Sequence, residues 1–145
     1  MNLILREANT SNEINKCLEI RRDVFINEQN VPEHLEIDGL DPQCRHFIVQ
    51  DNTKAIATAR VRIINDTAKI ERVAVLSHYR GQKIGLCLME YILKTLQNDR
   101  SIKTVKLGSQ NHAIPFYKRL GFQIFGEEYM DAGIAHHDMI RKNQA

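Results

Sequence analysis

The chain has 145 residues, 43% hydrophobic and 26% charged, the length and balance of one globular domain, residues 1–145, that buries a core on both faces of a sheet. Twenty Lys and Arg against eighteen Asp and Glu leave a formal charge of +2, far from the basic excess that phosphate neutralisation requires, so no nucleic-acid partner is indicated. The opening MNLILREANTS lacks the basic flank and apolar stretch of a secretory leader, and no apolar run approaches the roughly twenty residues that span a bilayer, which excludes a membrane-spanning helix and points to a soluble cytoplasmic protein.

Leu3 to Arg6 alternates apolar and polar residues and predicts a first strand, ended by the capping run Ala8-Asn9-Thr10-Ser11. From Asn12 to about Asn27, Ile14, Cys17, Leu18, Arg21 or Arg22, and Phe25 recur at three- and four-residue steps, the stripe of an amphipathic helix. Glu28 to Gln43 is polar, holds Pro32, Gly39 and Pro42, and reads as a long loop or short helical turn. His46 to Gln50, Ala55 to Ile64 and Lys69 to Val75 then form a three-strand meander, reversed at Asp51-Asn52-Thr53-Lys54 and at Asn65-Asp66-Thr67. Arg80 to Leu96 carries Ile84, Leu88, Tyr91, Ile92 and Leu96 at helical spacing. Lys103 to Gly108 reads as a strand and Ala113 to Leu120 as a short helix ended by a left-handed Gly121; Phe122 to Glu127 and Gly133 to Arg141 complete the chain as strands. This order implies an α/β (α+β mixed) fold, a mixed sheet with helices on its faces.

Cys17, Cys44 and Cys87 are odd in number, widely separated and free of any CxxC, the pattern of reduced thiols rather than of disulfides or a zinc site. His136-His137-Asp138 raises the question of a metal, but adjacent residues on a strand point to opposite faces, so no metal is expected.

The segment Val73-Ala74-Val75, four residues, then Arg80-Gly81-Gln82-Lys83-Ile84-Gly85-Leu86 is a strand feeding a glycine-containing turn and a helix. Free backbone N–H groups and the positive end of a helix dipole there suit a pyrophosphate, and small residues at 81 and 85 let it approach. RGQKIG resembles the acetyl-CoA signature R/Q-x-x-G-x-G/A of the GNAT superfamily, with Lys83 where the first glycine usually stands. Such a lysine is compatible with the motif if it keeps ordinary helical dihedrals and contributes its N–H. Gln110 to Phe122, QNHAIPFYKRLGF, resembles a second element of that family, N-x-x-A-x-x-F/L-Y-x-x-L-G-F, with Gln110 in place of Asn. The stretches RRDVFINEQNVP from Arg21, followed by Glu36, Asp38 and Asp41, and the late segment from Glu127 are similar to the ElaA-like or YjcF-like branch, so the resemblance covers nearly the whole chain.

The resemblance implies a GNAT acyl-CoA N-acyltransferase fold, with a mostly antiparallel sheet of six to seven strands and helices on both faces. It implies acetyl transfer from acetyl-CoA to a primary amine of a small molecule or peptide by direct attack in a ternary complex. Tyr117 would protonate the departing sulfur, since phenol and thiol have comparable unperturbed acidity, and Glu71 would take the amine proton through water. The N–H of Val75 would polarise the thioester carbonyl; residues 73–75 and 80–86, with Gln110, His112 and Phe116, would hold the coenzyme. Arg21, Arg22, Arg60 and Arg62 invite a reading as a carboxylate- or phosphate-binding site for the substrate, weighed against a solvated strand face. A CoA-binding sensor that has lost turnover is the competing reading, and an acyl-homoserine-lactone synthase-like enzyme a remote one. The late strand pair offers an edge on which a second copy could form a homodimer.

Overall fold

The computed structural model describes residues 1–144. One sheet of eight strands runs through it: β1 (Leu3–Ala8), β2 (Arg45–Asp51), β3 (Lys54–Ile64), β4 (Thr67–Val75), β5 (Thr104–Gln110), β6 (Gln123–Ile124), β7 (Tyr129–Asp131) and β8 (Ile134–Lys142). Their spatial order is β1-β2-β3-β4-β5-β8-β6, with β7 also paired to β8. Only β4 and β5 are parallel, and the long crossover this demands is supplied by a helix.

The helices are α1 (Ser11–Arg21), α2 (Glu33–Glu36), α3 (Ile84–Gln97) and α4 (Ile114–Arg119). α1 starts where Thr10 accepts a hydrogen bond from the Glu13 N–H at 3.1 Å, and Glu13 in turn accepts one from the Asn9 N–H at 3.2 Å, a reciprocal cap of the kind that a Thr followed three residues later by Glu provides. Its amphipathic stripe continues past Arg21, but Arg22–Glu28 widens into a π-helical segment, in which Gln29 N–H reaches back five residues to Val24 O at 3.1 Å. Periodicity alone does not separate this from α-helix, because the buried face shifts only gradually. In α3, Leu88, Met89, Ile92 and Leu96 are fully buried; they pack on Phe47, Val61, Ile70 and Val105 to build the main core on one face of the sheet. α1 and the π-helical segment cover the other face through Cys17 on Ile48 and Ile20 with Val24 on Ala74.

Two boundaries differ from the sequence expectation in ways that matter. The helix expected from Arg80 begins at Ile84, because Gly81 at φ 79° and Lys83 at φ 63° both break helical geometry. The strand expected over Phe122 to Glu127 is reduced to Gln123–Ile124; the chain then passes Gly126 at φ 89° and re-forms as β7, which adds the eighth strand. Gly121 is left-handed at φ 92° and ends α4, as its position predicts. Among the described residues, no helix is long and apolar enough to cross a membrane.

Candidate functional site

The site arises from a defect in the sheet. β4 and β5 pair only from Thr67/Thr104 to Ile70/Leu107; beyond that, Glu71–Val75 stays with β3 while Gly108–Gln110 stays with β8. The two strands therefore part, and a cleft of about 860 Å³ runs through the gap, lined by Val73, Ala74, Val75, Arg80, Gly81, Gly85, Gln110, His112, Phe116 and Tyr117 among others. Leu76 N–H donates to Ile56 O at 2.9 Å. Antiparallel pairing alternates, so the preceding Ala57/Val75 pair is not hydrogen-bonded and the Val75 N–H turns away from β3 into the gap.

At one end of the cleft lies the turn into α3. The first intrahelical bond runs from Cys87 N–H to Lys83 O at 3.0 Å, and no side chain caps the helix. The amides of residues 81–86 have no acceptor among the described residues, which leaves a row of donors at the positive end of a fourteen-residue helix. Lys83 corrects one expectation: it is left-handed, at φ 63° and ψ 21°, rather than helical. A glycine would take that conformation freely, and the lysine holds it under strain. Ile84 is a core residue at 1% exposure, so its side chain is unavailable to a ligand. Arg80 does not stand free either. Its Nε donates to Val75 O at 3.0 Å and its guanidinium forms a two-pronged pair with Glu28, one bond being 2.8 Å, which braces the turn against β4 and the π-helical segment. Gln110 similarly donates from Nε2 to Gln29 Oε1 at 3.0 Å.

Beyond its apolar contacts, the sheet face covered by α1 carries an ionic network where the C-terminal end of α1 meets α2 and the stretch before β2. Arg72 adopts φ 56° at an irregularity in the β3–β4 register, and the extra residue lets both Glu71 and Arg72 point to this face. Arg21 and Arg60 are fully buried. Arg21 binds Glu36 at 2.8 Å and Asp41 at 2.7 Å; Arg60 binds Asp38 at 2.8 Å, Asp41 at 2.9 Å and Glu71 at 3.0 Å. Arg72 closes the circuit on Glu36 and Asp38. The reading of Arg21, Arg22, Arg60 and Arg62 as a substrate-anion site is therefore corrected. Arg21 and Arg60 are saturated by the chain's own carboxylates, Arg22 pairs with Glu33 at 2.7 Å, and Arg62 pairs with Glu71 at 3.1 Å; none of the four lines the cleft.

Glu71 does line the cleft. Burial alone would raise its carboxyl, but Arg60, Lys69 and Arg62 more than reverse this and hold it below the ordinary carboxylate range. Tyr117 also lines the cleft, wedged edge-on between Phe116 and Phe122, and its hydroxyl has no hydrogen-bond partner among the described residues. Burial pushes it up to about 12, so it stays a neutral O–H donor and is a weaker acid than the sequence comparison with a thiol implies.

The far wall of the cleft comes from β7 and β8 and is invisible to motif reading. Tyr129 donates to Asp138 Oδ1 at 2.7 Å and stacks on His136 with ring centroids 5.7 Å apart. The adjacent histidines do point apart: His136 faces the cleft, whereas His137 bonds to Asn111 Oδ1 at 2.8 Å. Alternation along β8 carries that signal once the cleft-facing side is known. Among the described residues, no cluster of three or more His, Cys, Asp or Glu side chains could hold a metal ion.

A sheet parted beside a helix N-terminus whose amides are free defines a class of acyl-transfer protein, and comparison with known proteins agrees. The pattern described as Acetyltransferase (GNAT) domain matches residues 7–142, and the chain belongs to that family of acetyltransferases. It is 33% identical over 135 residues to YjcF of Bacillus subtilis, described as an uncharacterized N-acetyltransferase, across 92% of this chain and 96% of that protein. The crystal structure of Escherichia coli ElaA superposes with a TM-score of 0.86 at 31% identity, covering 96% of this chain and 99% of that one. An acyl-CoA N-acyltransferase of Pseudomonas aeruginosa gives a TM-score of 0.85 at 28% identity, over 97% and 99% of the two chains.

Proposed function

We propose that the protein transfers an acetyl group from acetyl-CoA to a primary amine of a small molecule or peptide, by direct attack while both are bound. The observation that carries this reading is that Val75, Gly81 and Gly85 line the same cleft as Tyr117, the two glycines lying within the row of unpartnered amides of residues 81–86. Bound acetyl-CoA supplies the acyl group and a thiolate leaving group. The fit is favourable at the points that matter. A Cβ placed on Gly81 meets nothing within 4 Å, so the turn has room above it, and the donors are not consumed by neighbouring carbonyls. The amides at 81–86 hold the diphosphate as hydrogen-bond donors. The Val75 N–H donates to the thioester oxygen and steadies the charge that develops there. Tyr117 donates its O–H to the sulfur as the C–S bond breaks; with the phenol near 12 and an ordinary thiol near about 8.5, the hydrogen bond stabilises the leaving sulfur and solvent completes the protonation.

The test combines calorimetry with acetyl-CoA and a thiol-release assay over tyramine, spermidine, glucosamine, glycinamide and a free-amine tripeptide. Binding with turnover of at least one amine is expected. Tyr117→Phe should bind acetyl-CoA as the wild type does and turn over on the order of a hundredfold more slowly. Undiminished turnover removes Tyr117 from the mechanism, absence of acetyl-CoA binding removes the reading altogether, and binding without turnover assigns the chain as a CoA-binding module.

A further inference from the structure

We infer that His136 is the base that removes the proton from the attacking amine, a role that rests on the acetyl-transfer reading above. The geometry fixes its tautomer. Nδ1 lies 2.7 Å from the carbonyl oxygen of Ile134, and a carbonyl only accepts, so Nδ1 carries the hydrogen and Nε2 carries the free lone pair. The ring is held flat against Tyr129, their planes 22° apart, and Tyr129 is itself tied to Asp138. His136 is 9% exposed and lines the cleft. Nε2 has no hydrogen-bond partner among the described residues, yet it is not one of the buried polar atoms left without a partner, which are His46 Nδ1 and Arg60 Nε. A basic nitrogen is thus oriented by a backbone bond, immobilised by stacking and left unspent at the wall of the cleft.

Its placement suits the chemistry. His136 pairs in register with Gln110 at the open end of β5, so it flanks the parted strands on the side opposite Glu71 of β4. Glu71 carries bonds from Arg60 at 3.0 Å and from Arg62 at 3.1 and 3.2 Å, with Lys69 at 3.6 Å. A carboxylate so neutralised is a poor proton acceptor; it holds the ionic face in shape instead. As the new C–N bond forms and the C–S bond breaks, the amine nitrogen gives one proton to His136 Nε2 and the sulfur gains one by way of Tyr117 and solvent. The imidazolium then returns its proton to solvent, and an amine that arrives as ammonium releases one more. The titratable groups around this wall are Tyr129 and Asp131 on β7, Asp138 on β8 with Lys106 of β5 paired to it at 3.4 Å, and His112 ahead of α4.

The experiment pairs a tautomer measurement with kinetics. Nitrogen-15 NMR of histidine-labelled protein should find His136 in the Nδ1–H form. With acetyl-CoA and the most active amine of the panel, His136→Gln should lose on the order of a hundredfold in kcat and lose the acidic limb of the kcat profile, with acetyl-CoA affinity unchanged. His136→Ala should recover turnover when imidazole is added, which a purely structural role would not allow. His137→Gln, altered on the opposite face, should keep the wild-type profile. An Nε2–H tautomer, or a His136→Gln enzyme with wild-type turnover and pH profile, overturns the assignment while leaving acetyl transfer intact. Acetyl-CoA binding without acetylation of any amine would overturn both together.

Discussion

Gly108 and Tyr129 share one volume: a Cβ built on Gly108 would lie 2.5 Å from the Tyr129 hydroxyl. The absence of a side chain at 108 is therefore what lets Tyr129 cross β8, reach Asp138 and hold His136. Gly108→Ala should expel the tyrosine and break the 2.7 Å bond to Asp138, destabilising the protein by about 0.5–1.5 kcal/mol, the net worth of one side-chain hydrogen bond. The same methyl group would meet the ring carbon Cζ at 3.8 Å, an ordinary contact, so adding Tyr129→Phe should recover part of the loss. Urea unfolding of the two single variants and the double variant measures the coupling, and additive losses would show that the two residues do not compete for space.

Arg60 joins three carboxylates from two stretches of chain, Asp38 and Asp41 ahead of β2 and Glu71 on β4. Arg60→Met should destabilise the fold by about 3–5 kcal/mol, since it strands buried negative charge rather than removing a balanced pair. Thermal unfolding at neutral pH checks this. A surface arginine such as Arg22 provides the contrast, because its pair with Glu33 has side chains 49% and 60% exposed and contributes little.

The same network sets the acid limit of stability. Asp38 is held below the ordinary carboxylate range chiefly by its hydrogen bond to Arg60; at Asp41 and Glu71 burial pushes upward but the arginines win, and all three end lowered. A carboxylate whose folded pKa is depressed stabilises the fold above its unfolded value, about 3.9 for Asp and 4.3 for Glu, and loses that contribution as pH falls through the folded value. Stability should thus stay level in this respect down to about pH 4–5 and fall steeply below it. Denaturation midpoints taken from pH 7 to pH 2 test the sign; a midpoint that rises on acidification would contradict it.

Lys83 is the residue at which motif and geometry disagree most. Left-handed backbone strains a lysine by about 1–2 kcal/mol, whereas glycine adds unfolded-state entropy of about 0.4–1 kcal/mol. Lys83→Gly should therefore stabilise the protein by roughly 0.5–1 kcal/mol, the difference of those two effects. Because the backbone already has the required shape, acetyl-CoA affinity should change little. Differential scanning calorimetry with and without the coenzyme separates the two effects.

The parts of this protein that could be read from sequence are those encoded by neighbours in the chain. The meander, α3 and the two motif segments each carry a local period or turn residue, so Gly81 and Gly85 were legible as a phosphate approach, and Tyr117 as part of a second segment. The π-helical stretch at Arg22–Glu28 was not, since its apolar spacing is close to that of an α-helix. Nor were the fates of Arg21 and Arg60, whose partners Glu36, Asp38 and Asp41 lie 15 to 22 residues away in the segment between α1 and β2. β7 is three exposed residues long, too short to show alternation, and with it went the signal that turns His136 toward the cleft. A histidine pair on a strand announces two faces; only the sheet order tells which face holds the chemistry.

A substitution at Gly85 should separate folding from coenzyme binding. It lies in the first turn of α3, and a Cβ there would meet Val75 Cγ2 at 3.8 Å and Phe116 Cζ at 3.9 Å, contacts that a packed interior accommodates. Replacing a helical glycine by alanine restricts the unfolded chain, so Gly85→Ala should stabilise the fold by about 0.5–1 kcal/mol. The methyl group would nonetheless stand between β4 and α4 on the cleft, beside the amides proposed to hold the diphosphate. Acetyl-CoA affinity should fall by about tenfold, or 1.4 kcal/mol, in a protein that melts later than the wild type. Calorimetric titration and thermal melting of the same sample decide it: equal affinity would mean the coenzyme passes away from Gly85, and the donor row at the start of α3 would lose its assigned ligand.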